Sequence, residues 1–103
     1  MIYEMRTYRT QVHAVQKFLD VYRDVGIGII SRYATLVGCW HTESGDLNSI
    51  VFIWAYDDFN HRLAQRKKLW EDQEWLAFVP SIRQYMEQQE SVFLLPAEFS
   101  PLK

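Results

Sequence analysis

Ile50-Val51-Phe52-Ile53-Trp54-Ala55-Tyr56 is an unbroken apolar and aromatic run, bounded by Asn48-Ser49 on one side and Asp57-Asp58 on the other. So short a run between turn-forming residues reads as a strand buried on both faces. A chain of 103 residues makes one domain, and a domain with a single layer of helices covers only one face of its sheet. The second face must meet another layer, another subunit or a ligand. An aromatic fraction of 16%, with four Trp, six Tyr and six Phe, suits a chain with more than one surface to bury.

Residues 2–9 alternate in character and are rich in Tyr and Thr, which predicts a strand. One face carries Glu4, Arg6 and Tyr8; the other carries Tyr3, Met5 and Thr7. Glu4 and Arg6 make either a simple ion pair or the polar lining of a cavity in which Arg6 fixes a ligand carboxylate or phenolate. From Val12 to Tyr33, apolar residues at Val12, Val15, Phe18, Leu19, Tyr22, Ile29, Ile30 and Tyr33 have helical spacing. Gly26 and Gly28 interrupt that pattern, as a kink, a close backbone approach or a tolerated weak spot. Leu36 to Thr42 reads as a second strand, joined through the turn cluster Ser44–Asn48 to the central strand as a hairpin.

Asp57 or Asp58 is expected to cap a helix running to about Trp70, with Phe59, Leu63 and Trp70 inward. Arg62, Arg66, Lys67 and Lys68 would then form its solvated face. Asp72 begins a further helical pattern through Trp75, Phe78, Val79, Ile82, Tyr85 and Met86, in which Pro80 predicts a break or kink near Val79. Ser91 to Leu95 is a final strand, stopped by Pro96. Residues 1–96 then form the domain, and 97–103 a tail that follows the surface or reaches a partner.

The order β-α-β-β-α-β is the ferredoxin-like α+β plan, a four-stranded antiparallel sheet with helices on one face. Because Phe52, Trp54 and Tyr56 alternate with Val51, Ile53 and Ala55, whichever face the helices leave bare is a sizeable apolar patch. A symmetric homodimer with its sheets packed face to face is the economical solution.

These residues match a known family over nearly the whole chain. Tyr3-Glu4-Met5-Arg6-Thr7-Tyr8 resembles the opening Y-E-x-R-T-Y of the NIPSNAP family. Val37-Gly38 with Trp40, then Glu43-x-Gly45, looks like its second strand and turn. Asn48, Ile53-Trp54-x-Tyr56-Asp57, Phe59-x-His61-Arg62 and Arg66-Lys67 look like its central W-x-Y-D and basic helix. Glu74-Trp75, Pro80 and Gln89-Glu90-Ser91 resemble its C-terminal half. The resemblance implies a dimeric α+β barrel of ferredoxin-like subunits, a fold shared with cofactor-free monooxygenases and isomerase-like proteins, and no settled enzymatic activity. Two positions depart from the family pattern. Arg9-Thr10-Gln11-Val12-His13 replaces the usual Pro-Gly-Lys loop, and Phe52 stands where relatives often carry a His before the Trp of the central strand.

Composition and motifs narrow the chemistry. A net charge of −2 gives no overall basic field for nucleic acid, and the Arg62-to-Lys68 cluster does not interleave with strand aromatics. No apolar stretch is long enough to insert in a membrane. Cys39, the single cysteine, cannot form an intrachain disulfide and reads as a small core residue. The strand pattern starts at Ile2, so a soluble cytoplasmic protein is expected. His13, His41 and His61 fall on different elements without metal-ligand spacing, so no metal is expected. Phosphate-loop, dinucleotide and nucleophile-elbow motifs are absent, so no cofactor is expected.

The remaining constellation is Glu4, Arg6, Tyr8, Trp54 and Tyr56, with His41 as a neighbour if the hairpin register allows. One reading makes these residues packing aromatics and paired charges. Another makes them the pocket of a binding or accessory module for a small apolar or aromatic ligand or a protein partner. The alternative is a cofactor-independent enzyme, monooxygenase- or isomerase-like, in which Arg6 binds an enolate and Tyr8, Tyr56 or His41 transfers a proton.

Overall fold

The computed structural model describes all 103 residues. Its order is β1 (Ile2–Thr10), α1 (Val15–Val21), a π-helical turn (Tyr22–Gly26), α2 (Ile27–Ile30), β2 (Thr35–His41), β3 (Ser49–Tyr56), α3 (Phe59–Leu69), α4 (Gln73–Arg83) and β4 (Met86–Leu94). The strands form one antiparallel sheet in the order β2-β3-β1-β4, with the helices on one face, which is the expected ferredoxin-like α+β plan.

Register decides which residues meet. β1 sets Glu4 opposite Trp54, Arg6 opposite Phe52 and Tyr8 opposite Ile50, so the even-numbered residues of both central strands face the helices. Ile50, Phe52, Trp54 and Tyr56 are buried there, none more than 2% exposed. On the other face Val51 and Ile53 are only half-buried. Within one chain, therefore, the central strand hides one face fully and the other in part.

The core is built from rings. Phe52 lies 4.7 Å from Tyr22 and 5.7 Å from Trp54, centroid to centroid, and Tyr22 meets Phe78 edge-on at 5.5 Å. These separations fall in the favourable range for aromatic pairs. The π-helical turn brings Tyr22 and Gly26 onto α4. A Cβ on Gly26 would sit 2.5 Å from the Phe78 ring, whereas one on Gly28 would meet nothing within 4 Å. Gly26 is thus the close approach, and Gly28 is merely tolerated. Gly26→Ala is expected to cost about 1–2 kcal/mol in a urea melt, because overpacking a well-packed core outweighs a gain in helix propensity of about 1 kcal/mol.

Four expectations are corrected. The first helix starts at Val15, not Val12, because His13 takes a left-handed conformation (φ 67°) and leaves Val12 exposed. α3 departs in part from the expected orientation: Leu63 is exposed and Leu69 is its buried apolar residue, while Phe59 and Trp70, each partly exposed, still pack inward on Phe93 and Trp75. α4 runs unbroken through Pro80, held by the buried Trp75, Phe78, Val79 and Ile82, and ends at Arg83. β4 starts at Met86, five residues before the expected Ser91, because β1 pairs with the polar stretch Met86–Gln89 as well.

Both predicted acidic caps are present. Asp58 accepts from the His61 backbone N–H at 2.7 Å, and Asp72 from that of Glu74 at 2.8 Å. Each satisfies donors left free at a helix start. Asp72 also accepts from the Tyr33 hydroxyl at 2.5 Å and from Arg32 at 3.1 Å, tying the end of α2 to the start of α4.

Candidate functional site

Glu4, Arg6, Tyr8, Trp54 and Tyr56 all project to the helix side of the central strands. They form two parts, a buried charge cluster and a cavity beside it. Glu4 is the centre of the first and is fully buried. Its carboxylate accepts from Arg6 Nη1 at 2.9 Å, from Arg62 Nη2 at 2.9 Å and Nε at 3.2 Å, and from Ser91 Oγ at 2.6 Å. Burial alone would push the Glu4 carboxyl up. Hydrogen bonds from Arg62 and Ser91 and the charge of Arg6 more than offset it and hold the group below the usual carboxylate value.

Arg62 therefore faces the sheet, contrary to the solvated face expected for α3. It stacks its guanidinium over the Phe93 ring at 5.2 Å while meeting Glu4. The physical reason is the buried carboxylate: an acid on the central strand needs partners, and α3 is the element above it.

Arg6 joins the two parts. Besides Glu4 it donates through Nε to Tyr8 Oη at 2.8 Å and through Nη2 to Gln89 at 3.3 Å. Because Tyr8 Oη accepts that bond, its own proton is free for another acceptor. Burial opposes the Arg6 charge, but Tyr8 and Glu4 hold the guanidinium above its ordinary value.

The cavity has a volume of about 170 Å³ and lies between the sheet and α4, walled by Arg6, Tyr8, Trp54, Arg66, Trp70 and Trp75. Arg83 and Gln89 also line it, and no carboxylate does. Arg66, again expected on a solvated face, makes no ion pair, and its guanidinium no hydrogen bond. Burial, and then the charge of Arg6, hold it below the ordinary guanidinium value. The Trp75 indole N–H is buried and has no hydrogen-bond partner. A second and more open hollow, of about 340 Å³, runs along β2 past Leu36, Cys39 and Phe52, and it lacks this convergence of donors.

The other expected members lie apart from the cavity. Tyr56 is buried against the His61 ring, 5.9 Å between centroids, and does not line it. His61 serves the backbone, its Nδ1 accepting from the Asp57 N–H at 3.0 Å. His41 is exposed at the end of the edge strand, 3.4 Å from Glu43 in the hairpin turn. Cys39 is exposed on that same edge strand and not in the core. Arg62, Arg66, Ser91 and Trp75 were missed as site residues. The available signal was the i, i+4 pair of arginines on α3, which no acid on that helix neutralises.

The opposite face is apolar at its centre and polar at one end, where Thr7, Arg9, Ser49 and Glu90 line a shallow hollow and Arg9 pairs with Asp46 at 3.3 Å. Met5 lies between Ile53 and Val92, and Trp40, 53% exposed, folds its ring over Gly38 beside them. The tail places Pro96, Ser100 and Leu102 near Tyr3 and Ile53, and leaves Phe99 91% exposed. No helix is long and apolar enough to cross a membrane.

Sheet order and helix placement are those of a ferredoxin-like α+β subunit fold. A cofactor-independent oxygenase from Streptomyces nogalater shares it at a TM-score of 0.68 and 15% identity, over 97% of this chain and 96% of that one, a likeness of fold alone. The NIPSNAP family model matches residues 3–101, and the chain belongs to that family. A NIPSNAP domain protein of known structure from Burkholderia xenovorans is 57% identical, with a TM-score of 0.96 over 98% of this chain and 99% of that one. The mouse protein NipSnap homolog 3B is 34% identical over 99% of this chain, which spans 42% of that relative's length.

Proposed function

We propose that this NIPSNAP chain is a homodimeric small-molecule-binding module, its two sheets face to face and a ligand held in the helix-side cavity of each subunit. The observation that carries the reading is the difference between the two faces of one sheet. The helix face holds a part-open cavity of about 170 Å³ lined by aromatic side chains and by Arg6, Arg66 and Arg83. The other face leaves Trp40, Val51, Ile53, Met5 and Val92 without full cover. An exposed apolar face of this kind marks an interaction surface, and a second copy offers a self-complementary partner for it. One exposed cysteine and no disulfide suit a reducing, cytoplasmic setting.

Light scattering on the purified protein, with mass spectrometry of its organic extract, tests this. The expected result is a particle of twice the 12.3 kDa chain mass that carries a small molecule. A monomer whose extract is empty would contradict the proposal.

A second reading, cofactor-independent chemistry on an enolisable substrate, draws on the Tyr8 hydroxyl 2.8 Å from Arg6 in the same cavity. There the guanidinium would hold a developing enolate and Tyr8 would move the proton. Turnover of a bound ligand that is abolished in Tyr8→Phe, with binding retained, would favour it over binding alone.

A further inference from the structure

We infer that the cavity takes a small aromatic carboxylate, with Arg66 as its anion anchor. This rests on the proposal that the cavity holds a ligand, and it names the ligand's class.

The argument starts from charge. Arg6, Arg66 and Arg83 line the cavity, and no Asp or Glu does. Glu4, the nearest buried acid, is committed: Arg62, Arg6 and Ser91 occupy its oxygens. Arg62 and Arg6 are thereby paired, and Arg66 is the inward-facing arginine of α3 left without a carboxylate. A half-buried guanidinium without a partner gives up part of its hydration unrepaid, and a ligand anion restores what is missing. It also has a fork of donors that matches a carboxylate bidentately.

A second, independent observation concerns Trp75. Its indole N–H is buried without a partner, and Trp75 lines the same cavity. Buried donors are rarely left unmade, so this wall of the cavity carries an unmet polar group that a small shift of the indole would offer to an occupant. Tyr8 adds a hydroxyl proton that its bond from Arg6 leaves free. Three arginines and the Tyr8 hydroxyl thus line a space without any acidic side chain.

Walls and size set the rest of the molecule. Trp54, Trp70, Trp75 and Tyr8 offer aromatic surfaces. A volume of about 170 Å³ is close to the ~150 Å³ apolar cavity known to accept benzene. One ring with a carboxylate matches that volume.

Titration of benzoate, its neutral analogue benzamide, and phenyl phosphate into the wild-type protein and Arg66→Gln tests the inference, read by calorimetry and tryptophan fluorescence. Arg66 makes no ion pair in the chain, so Arg66→Gln removes no native partner and is expected to stay folded; Arg66→Lys, which keeps the charge, serves as a second variant. The expected result is benzoate binding at least tenfold tighter than benzamide, weakened at least tenfold in Arg66→Gln and partly restored in Arg66→Lys. Benzamide binding as tightly as benzoate in both proteins would overturn the anion assignment while leaving the cavity reading intact. Phenyl phosphate bound in place of benzoate would overturn the carboxylate. No binding by any of the three would overturn both the inference and the reading beneath it.

Discussion

Glu4→Gln is expected to lower the stability of the chain by about 3–5 kcal/mol, the usual cost of removing one partner from a buried ion pair. The carboxylate is fully buried, and it neutralises Arg6 and Arg62, whose side chains are 12% and 19% exposed. Gln keeps the shape and can still accept from Ser91, but it leaves two guanidiniums above a strand with no counter-charge. In a domain of this size such a loss lowers Tm by on the order of 10–20 °C, measured at fixed protein concentration because association adds to apparent stability.

The pH dependence carries a sign. Glu4 is held below the usual carboxylate value in the folded chain. Its contribution is therefore fully present above the unfolded value of about 4.3, and it is lost as pH falls through the lower folded value. The gap between wild type and Glu4→Gln should be constant near neutrality and close as pH drops below about 4. A gap under 1 kcal/mol at neutral pH, or one that widens in acid, would show that the cluster does not hold the site together.

Met5→Glu is expected to convert the proposed dimer to a monomer at micromolar concentration. Met5 sits at the middle of the open face between Ile53 and Val92, away from the helices. Across a two-fold axis the new carboxylate would be desolvated against an apolar surface and set near its own copy. Losses at the centre of an interface commonly exceed 2 kcal/mol, which is upward of thirtyfold in Kd. Sedimentation equilibrium gives the constant, and circular dichroism checks that the monomer stays folded. A variant that remains a dimer would place the interface elsewhere.

The sheet was legible in the sequence because its alternation is strict. Once β1 and β3 are adjacent, a period of two puts Glu4, Arg6 and Tyr8 on one face with Trp54, and Met5 with Ile53 on the other. The caps were legible too, since Asp58 and Asp72 each precede a helical pattern.

The orientation of α3 was not legible. Phe59 and Leu63 look like an inward stripe, and Arg62 with Arg66 like a solvated one, because apolar-in and charged-out is the default for a surface helix. The default fails here because the strand beneath carries a buried acid, a long-range fact that no local window contains. β4 was misread at its start for a related reason. Met86-Glu87-Gln88-Gln89 has no apolar alternation, and only pairing with β1 makes it a strand. Whether His41 joins the site depends on the hairpin register, which the sequence leaves open, and its place opposite Ile50 lies at the far end of the edge strand.

The four tryptophans allow both faces to be read in one experiment. Trp54, Trp70 and Trp75 line the cavity, and Trp40 lies on the open face. Indole N–H signals from nitrogen-15-labelled protein, assigned by single Trp→Phe substitutions, can be followed during benzoate titration and then on dilution or in Met5→Glu. The expected result is that benzoate moves the signals of Trp54, Trp70 and Trp75, while Trp40 responds only to loss of the partner. Benzoate moving Trp40 and leaving the other three in place would contradict a ligand site between the helices and the sheet.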